Sequence, residues 1–115
     1  MSNALDLTAA NFDEVTKSGI CLIDFWGHGC PPCMVMAPII DELAAELADK
    51  VTVAKVNAHE EQAIGTKFQI MFLPTFCILK DGERVAENLV GQQQKETLVD
   101  ALKAAIGDSG ELSWD

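Results

Sequence analysis

The sequence predicts an α/β domain with a central mixed sheet, helices on both faces, and the element order βαβαββα from residue 20 onward. Three observations predict it. An apolar run (20–26), a helical pattern (from Pro31) and an alternating run (51–57) form a strand–helix–strand unit, whose two strands must be parallel with a right-handed crossover. Asp81-Gly82 joins two strand-like stretches, 75–80 and 83–90, as a hairpin turn. Residues 92–106 form an amphipathic stretch that ends at a glycine.

Each element has its own local reason. Residues 5–7 suit a short edge strand. Thr8 is an N-cap candidate for a helix over 9–16, and Ser18-Gly19 ends that segment. The run ICLIDFW is nearly unbroken and bounded by glycines, which favours a buried strand. From Pro31 onward, Ile39, Leu43 and Leu47 recur every four residues, with Ile40 and Ala44 beside them. Asp41, Glu42, Glu46 and Asp49 fill the opposite face. Pro38 lies inside this helix and is expected to bend it. VTVAKVN alternates as the next strand, and 60–68 suit a short helix. In the last helix Leu98, Leu102 and Ile106 face inward with Val99 near them, and Gly107 fits the position after it.

Length and charge narrow the function. A chain of 115 residues suits one core. The expected domain is 1–107, and 108–115 is expected to be a loose acidic tail. The net charge of −10 argues against nucleic acid and anionic membrane as partners. No apolar run is long enough to span a bilayer. The first fifteen residues lack the basic and apolar segments of a secretory signal, so the cytoplasm is the expected compartment. A monomer is expected.

The chemistry concentrates in GHGCPPC, residues 27–33. Two cysteines at this spacing fit a metal site, a structural disulfide or a redox-active dithiol. Zinc would take His28, Cys30 and Cys33, but a fourth ligand is missing because Cys21 and Cys77 lie inside predicted strands, and Pro-Pro is stiff where such sites want flexible turns. Cys21 and Cys77 themselves suit small buried hydrophobes with inert thiols. No metal or cofactor is expected.

Placing Cys30 at the helix N-cap puts Pro31 at N1, Pro32 at N2 and Cys33 at N3. Proline is tolerated there because its missing N–H had no intrahelical partner. An N-cap side chain accepts from N2 or N3, and Pro32 has no N–H, so the Cys33 amide is the remaining local donor. That amide and the helix dipole favour a Cys30 thiolate. Cys33, one turn further in, should be more buried. The pair is asymmetric, with Cys30 the nucleophile and Cys33 the resolving thiol. His28 is either an unengaged loop histidine or, when protonated, a second stabiliser of the thiolate. His59 has no role in this reading.

Asp24 is the one charged residue in ICLIDFW. It is either an exposed acid on a half-buried strand or a buried acid that manages the Cys33 proton. The lack of other polar neighbours favours burial, which should raise its pKa. Lys55, on the adjacent strand, stands level with it. Leu73-Pro74 opens the next strand, a position proline tolerates.

Together these segments resemble the thioredoxin family from about residue 5 to 106. The matching pieces are DFW before the Cys-x-x-Cys, APII with a proline five residues after Cys33, VAKVN, FLPTF, LKDG, and LVG before the last helix. The resemblance implies that Pro74 is cis and faces the dithiol, that Asp24 is the buried acid with Lys55 near it, and that Gly91 lets substrates approach. The implied docking surface comprises Trp26, Gly29, Pro31 and Pro32 on one side. Phe72, Leu73, Pro74 and Gly91 lie on the other. Protein disulfides are the implied substrates, and a thioredoxin-reductase-like flavoprotein or another reductase is the implied electron source.

The departures are specific. The family usually reads Trp-Cys-Gly-Pro-Cys-Lys, whereas this chain has Gly29 before the pair, Pro31 inside it and Met34 after it. Met71-Phe72 before Leu73-Pro74 is bulkier and more apolar than usual. Pro31 removes one N–H near the thiolate and removes freedom from the reduced loop, and both favour the disulfide. The expected potential is at or below about −250 mV. A thioredoxin-fold oxidase or isomerase, and a redox-silent adaptor binding through Met71-Phe72, are the alternative readings.

Overall fold

A computed structural model describes residues 3–107. The tail expected over 108–115 lies outside them. The observed elements, in chain order, are β1 (Leu5–Asp6), α1 (Phe12–Thr16), β2 (Ile20–Trp26), α2 (Pro31–Glu46), β3 (Val51–Asn57), α3 (Gln62–Lys67), β4 (Thr75–Lys80), β5 (Glu83–Arg84), β6 (Leu89–Val90) and α4 (Lys95–Ile106).

Strands β2, β3 and β4 match their predicted bounds, because continuous apolar runs between turn residues leave little room for other readings. The sheet order is β1-β3-β2-β4-β5, with β6 also paired to β4. β2 runs parallel to β3 and antiparallel to β4, so the sheet is mixed. Asp81 and Gly82 have φ of 52° and 86°, the doubly positive backbone that a tight hairpin requires.

Period-2 alternation divides the core in two. Leu22, Val53, Phe76 and Ile78 point to one face and pack with Met36, Ile40 and Leu43 of α2 and Leu98 and Leu102 of α4. Cys21, Ile23, Phe25, Val56, Cys77 and Leu79 point to the other and pack with Phe12, Ile64 and Phe68. Both faces of the sheet are therefore dry, as an unalternating apolar run implies.

Four boundaries differ from the sequence reading. α1 begins at Phe12, with Asn11 as N-cap, rather than at Ala9. The Thr8 hydroxyl accepts from Ala10 N at 3.2 Å, and Asn11 Oδ1 accepts from Thr8 N at 2.7 Å. These local bonds hold 8–11 as a turn that competes with helix. α3 begins at Gln62, because Asn57 Oδ1 accepts from both His59 N and Glu60 N and holds the preceding turn. α4 begins at Lys95 after the extended N-cap Gln94. The partner strand expected over 83–90 is split into β5 and β6 by a bulge.

Candidate active site

The C-terminal end of β2 delivers the chain into α2 through Gly27, His28 and Gly29. Gly29 has φ of +72°, a conformation costly for any residue with a Cβ. Gly27 is required for a different reason. A Cβ there would lie 2.7 Å from His59 Cε1 and 2.8 Å from Leu73 Cδ1. The loop before the cysteines thus packs directly on the β3–α3 loop and on the segment leading to Pro74. The sequence reading gave His59 no role, and its only sequence signal is a histidine in a polar stretch.

Cys30 is the N-cap of α2, with Pro31 and Pro32 at N1 and N2. Its Sγ accepts from Cys33 N at 3.2 Å, as the spacing predicted. The two cysteines are joined in a disulfide, with their Cα atoms 5.2 Å apart. Cys30 and Pro32 are half-buried, Pro31 is exposed and Cys33 is buried at 5 % exposure. The asymmetry of the pair is therefore built into the helix start.

Asp24 is 2 % exposed. It pairs across the sheet with Lys55, so the two side chains share the face toward α2. Burial pushes the Asp24 carboxyl up to about 7, and the Lys55 ammonium only partly opposes it. Oδ1 of Asp24 has no protein hydrogen-bond partner, nor does the buried Nε1 of Trp26. A cleft of about 290 Å³ connects Asp24, Lys55, Trp26, Cys33, Met34 and Ala37. It is roomy enough to hold water, and although its walls are mostly apolar, Asp24 and Trp26, whose buried Oδ1 and Nε1 are unpartnered, both line it. His28 stands edge-on to the Trp26 ring, with centroids 5.0 Å apart.

Pro74 follows a cis peptide bond and is buried just before β4, at the same end of the sheet as Trp26. Its carbonyl accepts from Gly91 N at 2.7 Å, tying the 90–93 segment to the proline. Met36 Sδ, buried in α2, accepts from Gln93 N at 3.4 Å. Around this end of the molecule the apolar side chains are open to solvent: Met34 73 %, Met71 83 %, Phe72 66 % and Val90 54 %. Met34 and Met71-Phe72 thus stand as exposed apolar side chains at the positions of the two departures.

Cys21 and Cys77 lie on the opposite face, at 1 % and 0 % exposure. Burial pushes their thiols up to about 12 and about 11. Among the described residues no three His, Cys, Asp or Glu side chains stand together as a metal site, and no helix is long and apolar enough to cross a membrane.

The thioredoxin family model matches residues 3–104. The thioredoxin of Staphylococcus haemolyticus is 41% identical over 96 residues, covering 84% of this chain and 91% of that protein. The thioredoxin of Staphylococcus aureus is 38% identical over 96 residues, with the same coverage. A mutant thioredoxin from Halobacterium salinarum superposes with a TM-score of 0.81 at 29% identity, covering 90% of this chain and 93% of that one. Thioredoxin from Malassezia sympodialis superposes at 0.79 with 27% identity, covering 89% and 90%. A dithiol pair at a helix start, on this fold and with these relatives, leads to one assignment: the chain belongs to the thioredoxin family and is a dithiol–disulfide oxidoreductase.

Proposed function

We propose that this oxidoreductase works as a reductase of protein disulfides, with Cys30 as the attacking thiol and Cys33 as the resolving one. The observation that carries the reading is the Cys33 N–H donated to Cys30 Sγ at the start of α2. A thiolate at that sulfur is stabilised by the amide and by the helix dipole. In the reduced protein Cys30 attacks one sulfur of a substrate disulfide and releases the other as a thiolate. Cys33 then loses its proton and attacks Cys30 in the mixed disulfide, and the second substrate thiolate leaves. Two electrons pass from the dithiol to the substrate, and two protons complete its thiols.

Asp24 is the proton acceptor for Cys33 in this reading. Its raised pKa places it near neutrality, and the cleft joins it to Cys33. Lys55 limits that rise and keeps the carboxylate accessible. Substrate lies over Gly29, Pro31 and Pro32, against Phe72, Leu73 and Pro74, with Gly91 opposite and Trp26 supporting the loop. A flavoprotein of the thioredoxin-reductase type restores the dithiol. The functional unit is a monomeric domain over 1–107 acting in the cytoplasm.

Equilibration in defined thiol–disulfide buffers, followed by alkylation and mass spectrometry, tests the direction of transfer. A two-electron transition at or below about −250 mV, confined to Cys30 and Cys33, is expected. A transition at about −120 to −180 mV would instead assign an oxidase or isomerase role.

A further inference from the structure

The bulge at the sheet edge has a consequence for the docking loop. Leu79 faces Arg84, and Val85 N donates to Ile78 O at 3.1 Å, yet Phe76 already faces Leu89. Residues 86–88 therefore lie against Cys77 alone, and the register slips by two. Such bulges re-aim the side chains on either side of them. Here Arg84 and Asn88 converge. Arg84 Nη1 donates to the Phe68 carbonyl at 3.1 Å and lies 3.4 Å from Asn88 Oδ1, while Asn88 Nδ2 donates to the same carbonyl at 3.0 Å.

Phe68 is the C-cap of α3. The next residue, Gln69, has φ of +61°, a left-handed conformation in which glycine or asparagine is usual. Ile70 N donates back to Gly65 O at 2.9 Å and closes the helix end. Arg84 Nη2 donates to Gln69 Oε1 at 3.1 Å. The guanidinium thus bonds two consecutive residues at the point where the chain turns from α3 toward Met71, Phe72 and Pro74. A planar fork fits such a double contact, and lysine does not reproduce it.

We propose that Arg84, supported by Asn88, is a positioning residue that fixes the helix end and thereby aims Met71 and Phe72 for substrate docking. This rests on the reading of the chain as a protein-disulfide reductase. Arg84 touches no reacting atom. Its effect passes through the 69–72 segment, so it sets affinity for large substrates and leaves the dithiol unchanged.

The test compares wild type, Arg84→Met, Phe72→Ala and the double variant, all driven by dithiothreitol. Substrates are insulin as a protein disulfide and hydroxyethyl disulfide as a small one. Arg84→Met keeps the apolar stem and removes the fork. It should raise KM for insulin about three- to tenfold, with kcat and the small-disulfide rate unchanged within about twofold. In the Phe72→Ala background it should raise KM by a smaller factor than in wild type, because one of the two side chains it aims is gone. Gln69→Asn keeps a residue that tolerates the left-handed turn but withdraws the amide from Arg84. It should also raise KM without lowering Tm, which guards against Arg84→Met failing to fold. An unchanged insulin KM in both Arg84→Met and Gln69→Asn, or full additivity of Arg84→Met with Phe72→Ala, would overturn the proposal. Equal losses on insulin and hydroxyethyl disulfide would overturn it too, because they would locate the effect at the dithiol. Wild type that reduces hydroxyethyl disulfide but not insulin would remove the proposed function itself, and this inference with it.

Discussion

The chain carries two pairs of cysteines at opposite ends of reactivity, and their difference comes from backbone placement. Cys30 and Cys33 begin a helix, where an N–H points at the first sulfur and the helix dipole favours negative charge. Cys21 and Cys77 lie in adjacent strands on the face away from α2, with no exposed surface to speak of and thiols pushed up to about 12 and about 11. Strand β2 serves both pairs. Its odd residues, including Cys21, fill an apolar layer, while its even residues bring Asp24 beneath Cys33. One residue of register separates inert sulfur from the redox site.

The largest expected effect breaks this comparison at the sulfur itself. Cys30→Ser should lower protein-disulfide reduction by at least about a thousandfold, since the hydroxyl is not a comparable nucleophile at neutral pH. Cys33→Ser should instead trap mixed disulfides with substrate, visible as a covalent adduct on a non-reducing gel. If Cys33→Ser were the inactive variant and Cys30→Ser the one that trapped substrate, the assigned asymmetry would be reversed.

Asp24 sharpens the comparison, because only one pair has a carboxyl beneath it. A carboxyl raised from 3.8 to about 7 on folding lowers stability wherever the unfolded chain is ionised. Below pH about 4 it is protonated in both states and its ionisation costs nothing. As pH rises toward 7 the unfolded chain releases its proton first, so stability falls. Above 7 the loss levels off at about 4 kcal/mol. Asp24→Asn should therefore be more stable than wild type at pH 8 by up to that amount, and similar to it at pH 4. Urea unfolding at both pH values checks this, and parallel curves would show that Asp24 titrates normally. The same variant should slow turnover at neutral pH by about tenfold to a hundredfold, through loss of the proton acceptor.

Most of this architecture is legible in the sequence. The central strands were readable because burial on both faces leaves an apolar run that little else explains. The Cys30–Cys33 bond geometry was readable because two prolines leave one possible local donor. The apolar neighbours of Asp24 favoured its burial but left the exposed alternative open until the 2 % exposure decided it. What escaped the sequence depends on contacts between distant segments. The bulge at 86–88 has no turn signature, and Arg84 is an ordinary exposed arginine until it meets the end of α3. His59 gains meaning only from its approach to Gly27. The start of α1 moved because Asn11, a plausible helix residue, bonds back to Thr8.

The smallest expected effect concerns the buried pair. With native protein reduced, a small alkylating agent at pH 8 should label Cys30 first and the buried Cys33 more slowly, and the other two thiols only as the fold opens. At that pH only about one thiol in ten thousand would be ionised at Cys21, and about one in a thousand at Cys77. Even those thiolates are sealed under Phe12, Phe68 and Leu79. Cys21→Ala and Cys77→Ala should each lose about 1–2 kcal/mol of stability from the missing sulfur volume and keep insulin reduction within about twofold. Rapid labelling of four thiols, or a redox transition that involves Cys21 or Cys77, would mean that the odd face of β2 opens far more readily than its packing allows. The contrast between the two pairs would then be one of kinetics, and not of placement.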